Sequence, residues 1–533
     1  MISVIQLMAL IFLLRGAPVT ETWNVTLPES THSAHLQNTN NCTADMAAVV
    51  AAAKARLAGT QDTLILQFPA GTYNFNDDAT GVYINAITNG SLIVRGAGTN
   101  LTTLCFNRIS RVGFWVNTSD RVTVEQLHLT RPGYYASEFD VVSVDTNGAY
   151  LQIHAGFPTP EELKYDGKWN GQEVTLLPFR YVDGEPQQDP CDNKTLLYQV
   201  DGDPSVFPFT DLSNGLWYAE FKWSGLPGWG AGDMVALKMR TGQNTLRFAD
   251  SDDCIARDLL ITRFCGNPIR SFRDTNRLLV ERVHIARPIG GVGGRIPFFS
   301  GSDGGIQLVS GPGGPTVRDC IIESVADDAI GYFSNDIYNL SAGAVFEGNT
   351  IYDGQARGID VFECRNVTIR SNAFYRGDWY SIAIFQNNTT NNPILVSVTD
   401  CDIYGNTFVD CLIDPVIGLD QVPKTAFQGN LTPVFYHNNI NIHHNTFIGA
   451  PKNNHMVYVN VCDTVNISSN TITSFNPEED LNSTQTGDAL VYVKEGLNVI
   501  GTGNIFQQAT SRAAWQKVRT NDNVNVEWSF LQK

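Results

Sequence analysis

The sequence predicts an all-β fold, a right-handed parallel β-helix, on two observations. Between Arg121 and Phe506 one pattern keeps returning, as in RVTVEQLHL, CIARDLLIT, RLLVERVHI, PTVRDCIIE, AVFEGNTIY, NVTIRSNAF, CDIYGNTFV and NINIHHNTF. Each copy is an alternating β-branched strand, a polar residue that is often Asn, and a second apolar pair. Where copies lie closest they are roughly 23 to 25 residues apart, the period of a solenoid whose coils cover one another's apolar interior. The second observation is length: 533 residues exceed what one compact core holds, yet no linker divides the chain.

The elements follow in order. Residues 1–17 carry an apolar run from Ile2 to Leu14, too short to span a bilayer and followed by small residues, which predicts a cleaved signal peptide. A leader left uncleaved would instead anchor the chain at a cell surface. Residues 18–147 should form the N-terminal cap and first coils, with ADMAAVVAAAKARL (44–57) as a helix closing the open end. Residues 148–238 break the pattern with prolines and with Trp169, Trp217, Trp223 and Trp229, and predict an inserted antiparallel β-domain whose aromatics either fill its own core or line a sugar cleft. The coils resume over 239–510, and 511–533 reads as a tail.

Asn-x-Ser/Thr sequons recur from Asn24 to Asn482, and the ten cysteines are even in number. With the leader, these predict a secreted, disulfide-bonded glycoprotein. No CxxC pair is present, so a structural zinc site is not expected, nor is any other metal or cofactor. A net charge of −18 disfavours nucleic acid as a partner and favours a neutral one, although a local basic patch would still hold an acidic sugar. No stretch after the leader is apolar enough for stable membrane insertion.

The chemistry concentrates in SVADDAIGYF, where Asp327 and Asp328 stand side by side in an apolar stretch. Registering three coils on Ile306, Ile330 and Ile359 places Asp303 opposite Asp327 and Gly304 opposite Asp328. Ala356 and Arg357 follow on the next coil, then Trp379 and Tyr380, registered on Ile382. Residues in one register form a line up the solenoid at about 4.8 Å per coil, so three carboxylates, a cation and two aromatics should share a patch. A lone Asp in such a turn usually caps backbone amides; two adjacent, with a third one coil away, cost energy unless something uses them. Arg357 reads either as a substrate ligand or as the counter-ion of the cluster. His443 and His444 read as turn residues.

Three stretches then carry a resemblance: GDMVALKMRTGQNTLRFADSDDCIARDLLI, GGRIPFFSGSDGGIQLVSGPGGPTVRDCIIESVADDAIGYF and GQARGIDVFECRNVTIRSNAFYRGDWYSIAI. The coils resemble the pectin-lyase-like β-helix superfamily, and the run from Gly232 to Phe408 resembles glycoside hydrolase family 110, the exo-acting α-1,3-galactosidases. That resemblance implies catalytic roles for Asp303, Asp327 and Asp328, metal-independent chemistry and inversion at the anomeric carbon. Where the family tends to carry a His shortly after the Asp pair, this chain has Tyr332.

Three functions are compatible with these residues. The first is a glycoside hydrolase acting on a neutral glycan, galactose being the best-matched sugar, with substrate contacts from Arg357, Trp379 and Tyr380. The second is a Ca²⁺-dependent polysaccharide lyase, since three carboxylates suit Ca²⁺ and an arginine could abstract a proton beside a uronate. The third is a non-catalytic surface protein that only binds glycans.

Overall fold

The computed structural model describes residues 18–27, 41–76, 80–163, 174–188, 195–198, 207–221, 227–239, 242–334, 341–377, 380–386, 398–411, 416–421, 437–449, 456–460, 462–473, 489–493, 496–506, 516–520 and 525–532. Among the described residues it is a parallel β-helix with an antiparallel insert and one N-terminal helix. The leader, residues 1–17, lies outside the described residues.

One face of the solenoid is a twelve-stranded parallel sheet among the described residues. Its strands are β1 (Val82–Asn85), β2 (Phe114–Asn117), β3 (Leu246–Ala249), β4 (Ile269–Phe272), β5 (Ile306–Val309), β6 (Ile330–Phe333), β7 (Ile359–Phe362), β8 (Ile382–Gln386), β9 (Ile417–Gln421), β10 (Val457–Val459), β11 (Ala489–Val493) and β12 (Gln516–Thr520). Alternation decides what each buries. Ile306, Ile330, Ile359, Ile382 and Ile417 stack inward in register, as do Leu308, Tyr332, Val361, Ile384 and Leu419. Each such side chain contributes about 1.5–3 kcal/mol by leaving water. Tyr332 belongs to this core: it is fully buried and its hydroxyl meets Ser310 Oγ at 3.1 Å.

The other faces use shorter strands, for example Thr316–Arg318 and Ile321–Glu323, joined by a sharp corner. At that corner one residue per coil takes the left-handed conformation: Asp319 (φ 54°), Gly348 (65°), Ser371 (55°), Gly405 (64°), His444 (54°), Ser469 (56°) and Gly503 (65°). The residue that follows is Asn from Gly348 onward, which explains the recurrent Asn of the repeat. Asn349, Asn372, Asn406, Asn445, Asn470 and Asn504 form a buried ladder in which each Oδ1 after the first accepts from the backbone N–H and the side-chain amide of the Asn one coil earlier, at 2.9–3.0 Å. Aromatic rings stack inside the same coils, Phe374 on Phe408 at 5.0 Å and Phe408 on Phe447 at 4.9 Å. His443 and His444 sit at this corner, His443 against the Tyr404 ring and Asp402.

The helix Thr43–Leu57 buries Met46, Val50, Ala53 and Leu57 against the first coils. The antiparallel sheet starts earlier than the break in pattern at Gly148, because Ser137–Val144 pairs with Gly148–Ile153, and it ends with Met234–Met239. Trp217 and Trp229 fill its core, and Trp169 and Trp223 lie outside the described residues. The segment read as a tail instead adds strands: Gln516–Thr520 pairs with Ala489–Val493, and Asn525–Gln532 with Gly496–Phe506.

Eight of the ten cysteines do not form the expected disulfides. Cys105, Cys254, Cys265, Cys320, Cys364, Cys401, Cys411 and Cys462 are free thiols, all buried. Their positions explain why: Cys401, for instance, stands in register between Val367 and Ile440 and serves as a small apolar residue in the wall of the core.

Candidate functional site: a carboxylate groove on the long sheet

The residues just before β5 to β8 continue the ladder. Gly305 N–H donates to Asp328 O (2.9 Å), Ala329 N–H to Arg357 O (2.7 Å) and Gly358 N–H to Tyr380 O (2.9 Å). Gly304, Asp328, Arg357 and Tyr380 therefore form one column, with Asp303 and Asp327 level with each other beside it; Ala326 N–H also donates to Asp303 O at 3.1 Å. This is the register expected from the aligned isoleucines, and it brings the three aspartates, Arg357 and Tyr380 to one stretch of the surface. Trp379 lies outside the described residues.

Asp303 is half-buried, and its Oδ1 accepts the Gly304 N–H at 2.8 Å. Asp327 is likewise half-buried, whereas Asp328 is only 7% exposed. Asp328 Oδ1 accepts the backbone N–H of Arg357 at 3.2 Å and faces its guanidinium Nη1 at 3.6 Å. The same Nη1 donates to Asp360 Oδ2 at 2.9 Å. Arg357 also lies over the rings of Phe385 (4.8 Å) and Phe362 (5.6 Å). It thus stands as a counter-ion to Asp328 and Asp360.

Asp360 was not singled out by the sequence reading. It is fully buried, and its carboxyl is pushed well above the usual carboxylate range, first by burial and then by the charge of Asp328, with Arg357 opposing. In its protonated form it donates a hydrogen bond to Asp328. Its signal in the sequence was register: Asp360 stands beside Gly331, in the same outward column as Gln307.

Glycines keep this groove shallow. A Cβ on Gly331 would lie 2.4 Å from Gln307 Oε1, one on Gly304 2.8 Å from Asp328 O, and one on Gly418 2.4 Å from the Tyr380 ring. Tyr380 leans across Gly418 and meets Phe385 edge-on at 5.3 Å, extending a rim in which Phe333 stacks on Phe362 at 5.0 Å. A small floor between carboxylates and aromatic faces is a surface on which a sugar ring can lie.

A separate cleft of about 800 Å³ lies between the insert and the solenoid, lined by Glu185, His284, Arg287, Glu323, Tyr352 and Arg376. Several of its charges are paired. His284 Nε2 meets Glu323 Oε1 at 2.6 Å, and Arg287 and Arg376 both bind the buried Asp353.

A raised acid makes stability depend on pH. Between its unfolded and its higher folded titration range, Asp360 binds a proton only in the folded state, so stability falls as pH rises through that window. Asp360→Asn cannot ionise and should flatten that fall. Thermal unfolding of both proteins from about pH 4 to about pH 8 measures it, and equal slopes would remove Asp360 as a buried acid.

Residues 239–414 match a family model described as "Right handed beta helix region", a span that includes every residue of the groove predicted above. No curated protein matches the chain by sequence. Among solved structures the chain is similar to the catalytic unit of a thermostable α-1,3-glucanase of family 87 from Streptomyces thermodiastaticus, at 12% identity and a TM-score of 0.42 over 90% of this chain and 65% of that one. It therefore spans just under two thirds of that glucanase unit. It is also similar to the A-module of a mannuronan C-5 epimerase from Azotobacter vinelandii, at 10% identity and a TM-score of 0.48 over 93% and 96% of the two chains. A third similar structure is a surface adhesin of Streptococcus pneumoniae, at 11% identity and a TM-score of 0.48 over 88% and 87%.

Proposed function

We propose that this chain is a secreted glycoside hydrolase of the family 110 type, exo-acting and inverting, which removes α-linked galactose or a similar neutral sugar from a glycan. The observation that carries the reading is the register of Asp303 beside the Asp327–Asp328 pair, with Asp328 held between Arg357 and the raised acid of Asp360. One carboxyl protonates the leaving oxygen while another activates water on the opposite face of the ring. Asp360, protonated and bonded to Asp328, supplies a proton store beside that pair, and Arg357 keeps the remaining negative charge tolerable. The reaction as proposed needs two carboxyls and a water and calls for no cofactor.

Spacing favours inversion. Inverting enzymes hold their two carboxyls roughly 6.5 to 9.5 Å apart. Asp303 and Asp328 lie diagonally, one coil and one residue apart, which puts their backbones roughly 6 Å apart before the side chains diverge. These two are the working pair of the proposal, with Asp327 positioning or sharing the proton.

The test is a glycan panel read for released monosaccharide, with and without EDTA. Release that survives the chelator, and β-galactose as the first-formed anomer from an α-galactoside by proton NMR, are the expected results. Loss of activity with EDTA and an unsaturated product would replace the hydrolase by a lyase; binding with no turnover on any glycan would leave a glycan-binding surface protein.

A further inference from the structure

Rings in register on neighbouring coils of this solenoid mostly stack flat. Phe374 and Phe408 are 11° from parallel, Phe408 and Phe447 15°, Tyr352 and Tyr375 16°, and Phe333 and Phe362 18°. Tyr83 on β1 and Trp115 on β2 are also in register, with ring centroids 5.2 Å apart, yet their planes differ by 51°. Rings lying flat on one another turn only their edges away from the stack. Two tilted rings cannot both do so, and one of them presents part of its face to the outside. Tyr83 is 42% exposed and Trp115 is half-buried.

What surrounds the pair is polar and planar. Asn117 Nδ2 donates to Asn85 Oδ1 (3.1 Å) and to the Tyr83 hydroxyl (3.4 Å), which fixes the Tyr83 ring from its tip. Arg247 on β3 places its guanidinium carbon 5.3 Å from the Trp115 ring centroid and is itself held by Asn244 Oδ1 (2.9 and 2.7 Å) and Gln243 Oε1 (2.8 Å). A cross-strand aromatic pair also steadies the first coils, but flat stacking would serve that purpose with less exposed ring. An aromatic face rimmed by amides and a guanidinium suits a sugar: the ring meets its C–H face, and the rim meets its hydroxyls.

The pair heads the column that runs into the carboxylate groove. From Tyr83 and Trp115 the register passes through Arg247 and Gln307 to Gly331 and Asp360. At about 4.8 Å per strand, Trp115 lies about 14 Å and Tyr83 about 19 Å from β5, the strand that Asp303 leads into. One sugar does not span that distance; an oligosaccharide does. On the other side of the carboxylates Tyr380 lies across the column at Gly418, where a Cβ would stand 2.4 Å from its ring. Only beyond it comes the second tilted pair of the column, Tyr458 and Tyr492, at 43°. We propose that Tyr83 and Trp115 form a remote subsite that holds a sugar of the uncleaved part of the glycan, so that the substrate is an oligosaccharide lying along the sheet from the aspartates towards the N-terminal coils. This deepens the hydrolase reading and rests on it: the terminal sugar is removed at the carboxylates while the chain it leaves is gripped several sugars away.

The test is calorimetric binding of two neutral galacto-oligosaccharides ending in α-linked galactose, a disaccharide and a hexasaccharide, to the full chain carrying Asp327→Asn so that nothing turns over. The hexasaccharide should bind about tenfold or more tighter than the disaccharide, the order expected of a ring stacked on an aromatic pair. Trp115→Ala and Tyr83→Ala should each bring the hexasaccharide down towards the disaccharide value, and Trp115→Phe should keep part of the gain. Raising salt should change little, since stacking on a neutral ring is not screened. Equal affinity for the two lengths, or no binding of either, overturns the subsite, as does a length preference that Trp115→Ala keeps or that Tyr458→Ala removes instead. If Trp115→Ala does not fold, Tyr83→Ala, at an exposed side chain, decides. A length preference that depends on Trp115 in a protein whose wild type releases no sugar keeps the subsite and removes the hydrolase. Turnover with no length preference in binding keeps the hydrolase and removes the subsite, so the two failures are distinct.

Discussion

Asp327→Asn and Asp328→Asn should each lower turnover of the best substrate from the glycan panel by about 10²- to 10⁴-fold, the usual share of general acid–base catalysis, with glycan binding largely kept. Asn keeps the shape and one acceptor oxygen, so the Arg357 N–H that now meets Asp328 Oδ1 at 3.2 Å retains a partner. What is lost is the charge and the ability to carry a proton. Asp303→Asn should cost as much, since either working carboxyl is needed to complete the step. Initial rates at saturating substrate, with thermal unfolding to show that the fold persists, separate the outcomes. A folded Asp328→Asn protein with near-normal turnover would take the chemistry away from this groove. Equal glycan binding with no wild-type turnover would indicate a binding protein.

The largest effect on stability is expected from Asn406→Ala. Asn406 sits in the middle of the buried ladder: its Oδ1 accepts from Asn372 N–H (2.9 Å) and Asn372 Nδ2 (3.0 Å), and its Nδ2 donates to Ile369 O and Asn445 Oδ1, both at 3.0 Å. Alanine leaves several of these groups buried without partners, at about 1–3 kcal/mol each, so a loss of about 3–5 kcal/mol follows after partial relaxation. Asn504 makes fewer such bonds, accepting from Asn470 and donating to Ile467 O, and Asn504→Ala should cost less. Equilibrium denaturation of the two variants checks both the size and the order. An Asn406→Ala protein within about 1 kcal/mol of wild type would mean that water replaces the ladder.

Much of this was legible because the solenoid writes its geometry into a one-dimensional repeat. Alternation of β-branched residues gave the strands, the recurrent Asn marked the corner, and isoleucines at the start of β5 to β8 were enough to register Asp303, Asp327, Asp328, Arg357 and Tyr380 across coils of unequal length. An even cysteine count is a statement about number, whereas pairing needs geometry, and eight of the thiols lie buried as free thiols.

The sequence by itself therefore determined the fold class, the coil register around the aspartates and the existence of an insert, since each depends on local alternation and short spacing. Tertiary structure alone decided which charges meet. Asp360 lies on a strand whose period marks it only as outward-facing, and it becomes a raised, buried acid because the folded chain takes it out of water and sets the charge of Asp328 near it, with Arg357 opposing. Arg247 lies more than a hundred residues after Trp115 yet on the next strand, because the whole insert leaves and rejoins the solenoid between β2 and β3. Only the completed stack of coils sets Arg247 beside Trp115 and Arg357 beside Asp360.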